Sequence, residues 1–103
     1  VPSTWPGVRA PHAWLKDGRS TLDLFGKRFV LLNFSAANTS TITDTAKEVG
    51  MPLEVVALND AKARQTYERD LVLVRPDGHV AWRGDALPTN AAEMIDRVRG
   101  AAA

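Results

Sequence analysis

Leu71-Val72-Leu73-Val74-Arg75-Pro76-Asp77-Gly78-His79-Val80-Ala81-Trp82-Arg83 is the stretch whose reading decides the fold. Two runs of strand-forming residues flank Pro-Asp-Gly, and Asp-Gly supplies the positive φ angles that a tight hairpin turn requires. Alternation in the second arm puts Val80 and Trp82 on one face and His79, Ala81 and Arg83 on the other, the pattern of an edge strand. Upstream, Phe29-Val30-Leu31-Leu32-Asn33-Phe34 is a near-continuous apolar run, as expected of a central strand covered on both faces. Its polar residue, Asn33, must find a partner or sit near the strand's end.

Between these runs, a helix is expected from Ser40 or Thr41, with Ile42, Ala46 and Val49 at helical spacing and Gly50 with Pro52 as a stop. Leu53-Glu54-Val55-Val56-Ala57-Leu58 is a second β-branched run, and strand, helix, strand at this length is the parallel right-handed unit. Asn59 or Asp60 caps a mostly polar, surface-lying helix through Arg69, with Ala63 and Tyr67 on one face. The last helix starts at Thr89 or Asn90, has Glu93 three residues after Asn90, buries Ala91, Met94, Ile95 and Val98, and stops at Gly100. Ahead of all this, a tight turn at Lys16-Asp17-Gly18-Arg19 and a helical turn over Leu22-Asp23-Leu24-Phe25-Gly26 suggest a small hairpin. The order is that of a thioredoxin-like α/β fold: a central mixed sheet of about four strands flanked by helices, with an N-terminal hairpin extension. Residues 1–8 read as a linker-like segment, 9–100 as the domain and 101–103 as a frayed tail.

Composition narrows the function. At 103 residues and 45% hydrophobic content the chain suits one compact domain. Thirteen basic and 12 acidic side chains leave a formal charge of +1, so no global field gathers nucleic acid or an anionic membrane. No apolar run nears the roughly 20 residues that span a bilayer, and Val1-Pro2-Ser3-Thr4-Trp5-Pro6-Gly7 lacks the regions of a signal peptide. That Pro/Gly-rich start without Met suggests a piece of something longer. The absence of cysteine removes disulfides, thiolate nucleophiles, thiolate metal ligands and dithiol redox chemistry together, and it fits a cytoplasmic protein.

Ala10-Pro11-His12-Ala13-Trp14-Leu15 with Asp23-Leu24-Phe25-Gly26 and the run from Phe29 to Phe34 resembles the opening of peroxiredoxins and related thioredoxin-fold proteins. Where those carry their reactive cysteines, this chain reads Ser35-Ala36-Ala37-Asn38-Thr39-Ser40. A narrower resemblance rests on Arg9-Ala10-Pro11-His12, Trp14-Leu15, Asp23-Leu24-Phe25-Gly26 and the run from Leu73 to Arg83. Together they look like the C-terminal domain of the phenol hydroxylase-like, FAD-dependent aromatic monooxygenases. The resemblance implies a parent enzyme that binds FAD, is reduced by NAD(P)H and hydroxylates an aromatic ring. It also implies that flavin and substrate sites lie in preceding domains, with this domain a non-catalytic accessory for stability or subunit contacts, including a homodimer. None of the seven glycines falls in a G-x-G-x-x-G spacing, so the chain itself carries no dinucleotide fingerprint, and no catalytic, cofactor or metal residue is assigned.

The candidate interface comprises Trp82, Arg83, Arg75, His79 and Trp5, because Trp and Arg are favoured interface anchors. Against this, Trp82 fills the domain's own core and the arginines are solvated; the same choice applies to Trp5 and Trp14. His12 and His79 read as structural or surface histidines, and Ser20, Ser35 and Ser40 lie near no nucleophile elbow. The rival function is a free-standing binding module that uses the 35–40 loop to hold a small ligand or peptide.

Overall fold

Five consecutive buried residues, Phe29–Asn33, form the strand β1 around which everything else is arranged. The structure, a computed structural model, describes residues 6–102. After a 3-10 turn at Thr21–Leu24 and β1, the chain forms α1 (Ser40–Glu48), β2 (Leu53–Ala57), α2 (Ala61–Tyr67), β3 (Leu71–Val74), β4 (Val80–Gly84) and α3 (Ala91–Ala102). The sheet order is β2-β1-β3-β4. β1 runs parallel to β2 with Leu31 beside Val55, and antiparallel to β3 with Leu31 beside Leu73. The expected parallel β-α-β unit and antiparallel hairpin thus share one mixed four-stranded sheet flanked by three helices.

The sheet is covered on both faces because β1 and β3 are apolar at every position but Asn33. Alternation sends Phe29, Leu31, Leu71 and Leu73 toward α1 and α3, where they meet Ile42, Ala46, Met94, Ile95 and Val98. Val30, Leu32, Val72 and Val74 point the other way, onto Ala63 and Tyr67 of α2 and onto Ala10, Ala13 and Leu15 of the N-terminal segment. That segment is held at several points. Gly7 N–H donates to Val80 O, Val80 N–H to Val8 O and Ala10 N–H to Gly78 O, which covers the start of β4 and the turn before it. The expected small hairpin reduces to one bridge, Trp14 with Ser20, closed by Leu15 N–H donating to Arg19 O.

Four local expectations need correction. Only Gly78 in the hairpin turn has positive φ, at 86°. Pro76, Asp77 and Gly78 form a three-residue connection closed by Gly78 N–H to Arg75 O and Arg75 N–H to His79 O, so glycine alone supplies the left-handed residue. β4 also does not alternate cleanly. Leu73 pairs with Trp82 but Val74 pairs with Val80, leaving Ala81 as a bulged extra residue. The bulge reverses the facing after Val80, so Val80 joins the α2 side while Trp82 packs on the α1/α3 side. α2 ends at Tyr67, short of Arg69, because Glu68 takes a left-handed conformation with φ 72°. α3 continues through Gly100 to Ala102.

Candidate interface

The loop from β1 to α1 is where a parallel β-α-β unit would present a dinucleotide's phosphates. Here Asn33, 5% exposed, occupies the turn with its own side chain. Its Nδ2 donates to Ala37 O at 3.0 Å, while its Oδ1 accepts from Ser35 N–H and Ser35 Oγ at 3.1 Å each. Asn38 Oδ1 accepts from Ser40 N–H, which spends another polar group of the loop internally. The glycines at Gly7, Gly18, Gly26, Gly50 and Gly78 open onto empty space and form no phosphate cradle. The loop after β1 therefore offers no glycine cradle for a flavin's phosphates. Most of the 35–40 loop is exposed, and its asparagine contacts run to its own backbone.

Of the five candidate interface residues, Trp5 lies outside the described residues. The hairpin brings the other four near in sequence but not onto one surface. At the turn, Arg75 donates to both carboxylate oxygens of Asp77, and His79 N–H donates to Asp77 Oδ1 at 3.0 Å. The Arg75 guanidinium holds the Asp77 carboxyl well below the usual carboxylate range. His79 Nδ1 lies 3.3 Å from Asp77 Oδ1 without meeting hydrogen-bond geometry. Arg75 thus spends its fork within the turn, on an exposed pair that contributes little to stability. Arg83 faces the α2 side, its side chain 8% exposed, with Nη1 3.3 Å from Glu68 Oε1.

Trp82 faces the opposite side, partly buried against the α1/α3 core. It lines a groove of about 220 Å³ with Ala81, Pro88, Glu93, Met94 and Arg97. Gly84 lies under the indole: a Cβ there would stand 2.9 Å from Trp82 Cζ2. Replacing Gly84 with alanine is accordingly expected to displace the ring and destabilise the domain by about 1–3 kcal/mol. Thermal unfolding with tryptophan fluorescence checks this, and an unshifted melting temperature and emission would remove the close-packing account.

Trp14 behaves differently from Trp82, and sequence alone did not separate them. It is 68% exposed and stands edge-on to His12 at 4.7 Å. Leu22, 45% exposed, lies on the same N-terminal unit, just after the Ser20 that bridges to Trp14. His12 Nδ1 is 2.6 Å from Ser20 Oγ, but that oxygen already accepts from Leu22 N–H as the cap of the 3-10 turn. The pair reads as a fastening of this unit, because no acidic residue is bonded to the histidine's other nitrogen among the described residues. Among the described residues, no group of three or more His, Cys, Asp or Glu able to hold a metal occurs, and no helix is long and apolar enough to cross a membrane.

Comparison with known proteins gives this geometry its context. The chain is 39% identical over 104 residues to the FAD-dependent monooxygenase apdD of Emericella nidulans, covering 95% of this chain but 16% of that protein. It is 31% identical to phenol 2-monooxygenase of a Pseudomonas species, covering 82% of this chain and 17% of the relative. Among solved structures, the rebeccamycin biosynthetic enzyme RebC with reduced flavin superposes with a TM-score of 0.93 at 51% identity, over 98% of this chain and 20% of that one. Aklavinone-11 hydroxylase, in complex with FAD and aklavinone, superposes at 0.80 with 31% identity. The chain spans about a fifth or less of the length of these relatives. The family model for the aromatic-ring hydroxylase C-terminal region matches residues 3–102, and the chain belongs to that family.

Proposed function

We propose that this thioredoxin-like domain is the non-catalytic accessory part of an FAD-dependent aromatic-ring monooxygenase. The parent draws its reducing equivalents from NAD(P)H and works in the cytoplasm. The observation that carries this reading is coverage: relatives match most or nearly all of this chain, yet it makes up only about a fifth of their length. The β1 to α1 loop supports it, since residues 34–40 contain no glycine and Asn33 spends its amide on the loop itself. The domain's work is then mechanical. It stabilises the parent through contacts with the preceding domains and between subunits, with exposed aromatics as anchors.

Two preparations test this. The 103-residue chain should purify without a flavin absorption band. The longer protein lacking this domain should still load flavin and hydroxylate its substrate at an unchanged rate per bound flavin, while losing thermal stability. A yellow isolated chain, or a truncated enzyme that loads flavin but no longer turns over, would overturn the accessory role.

A further inference from the structure

The two edges of the sheet are treated differently. The start of the β4 edge is hydrogen-bonded through Val80 to Gly7 and Val8, and Gly78 just ahead of it accepts from Ala10 N–H. β2 forms the other edge. The bonds that frame the β1–β2 ladder, Phe29 N–H to Pro52 O and Leu58 N–H to Asn33 O, fix its parity. Pro52, Glu54, Val56 and Leu58 turn their backbone groups toward β1, and Leu53, Val55 and Ala57 turn theirs outward. No hydrogen bond among the described residues takes the N–H or C=O of those three. Pro52 and Glu54 are the strand's only features that discourage pairing.

We propose that β2 pairs with β2 of a second copy of this chain, antiparallel about a two-fold axis at Val55, to make one continuous eight-stranded sheet. The reading deepens the subunit-contact role above, but it rests on this chain's own edge and stands whether or not the parent is a hydroxylase. Three observations select a second copy. The outward groups recur at Leu53, Val55 and Ala57, so the two-fold matches every outward residue with another: Leu53 with Ala57, Val55 with Val55, Ala57 with Leu53. All six donors and acceptors on each side then meet partners. On the α1 side, these pairs set Val55 against Val55 and Leu53 against Ala57, completing the burial of Leu53 and Val55, which are only partly covered in one copy. On the other side, Glu54 of one copy moves toward the Ala57 end of the other. Arg19, whose Nε donates to Asp17 Oδ2 at 2.8 Å, lies near that end, beside Ala57 and Leu58, and it also lines the hollow containing Glu54 and Val56.

A short edge-to-edge contact makes a weak, concentration-dependent dimer. Sedimentation velocity on the chain, from about 10 µM to 1 mM, should show the mass rising from 11.2 kDa toward twice that. Hydrogen exchange should show the amides of Leu53, Val55 and Ala57 slowing over the same range. Val55→Pro removes the outward N–H at the axis while sparing the β1 ladder, and it should weaken dimerisation at least about tenfold. Glu54→Lys, which leaves the backbone untouched, should also weaken it and serves if the proline variant fails to fold. A chain that stays monomeric with concentration-independent exchange at all three amides overturns the proposal. So does a longer protein in which these amides are protected at every dilution, since the edge would then be covered by another part of the same chain. Neither result bears on flavin loading or turnover, so this proposal and the accessory-domain reading can fail separately.

Discussion

Tyr67→Ala is expected to cost about 3–5 kcal/mol, as removal of a large aromatic from a closed core does. Tyr67 is fully buried on the α2 side of the sheet, against Val30, Leu32, Val72 and Val74. Its hydroxyl donates to Pro11 O at 2.5 Å, an oxygen that Thr21 Oγ1 also reaches at 3.2 Å. One side chain therefore ties α2 to the segment that covers β4. Against a total stability of about 5–15 kcal/mol for a domain, this loss is a large share, and at the low end of that range it leaves a substantial unfolded fraction. Denaturant unfolding of the variant measures it.

Tyr67→Phe separates the two contributions. It keeps the ring, removes the hydrogen bond to Pro11 and should cost about 1 kcal/mol. It should also change the alkaline limb of stability. Burial pushes the Tyr67 hydroxyl up to about 12, against 10.0 for the free side chain. Between those values the unfolded chain has released the proton and the folded chain still holds it. Stability is therefore complete below about pH 10 and falls by about 1.4 kcal/mol per pH unit until the folded group also ionises. The phenylalanine variant should lack this fall. If wild type and Tyr67→Phe lose stability in parallel above pH 10, Tyr67 is not the group responsible.

How much of this could be read in advance depended on whether the signal was local. The runs from Phe29 to Phe34 and Leu71 to Val74 carry their burial in their composition, and the structure makes them the two central strands. Asn33 was legible as a polar residue in need of partners, and it finds them in the loop just beyond its strand. The bulge at Ala81 was not legible, because alanine suits a strand or a bulge and the register is set by Leu73 and Val74 across the hairpin. That one residue decides which face Trp82 and Arg83 occupy: each stands on the face opposite to the one that alternation from Val80 gives it. Glu68 carries no marker of its left-handed backbone either. Its conformation follows from α2 closing over Tyr67 and its pairing with Arg83, 15 residues away. The exposure of Trp14 depends likewise on the N-terminal unit folding back on itself, which no periodicity reports.

The last expectation uses that difference between tryptophans to separate packing from docking. Trp82→Ala removes an indole partly enclosed by the α1/α3 core and should destabilise the isolated chain by about 2–4 kcal/mol, the lower part of the range for tryptophan because the ring is not fully covered. The loss should be the same in the longer protein, since the contacts removed lie within this domain. Trp14→Ala removes a ring that is 68% exposed and touches His12 alone among aromatic rings in the described residues. The isolated chain should tolerate it within about 0.5 kcal/mol, the usual range for a surface substitution. In the longer protein, Trp14 should behave as an anchor against the preceding domains and cost about 2 kcal/mol or more. Calorimetry of both variants in both contexts gives four numbers, and only their pattern matters. A Trp14 variant that is silent in both contexts removes that residue from the interface. A Trp82 variant whose cost grows in the longer protein would restore the hairpin as a docking surface, because a ring that only fills its own domain's core cannot know what lies outside it.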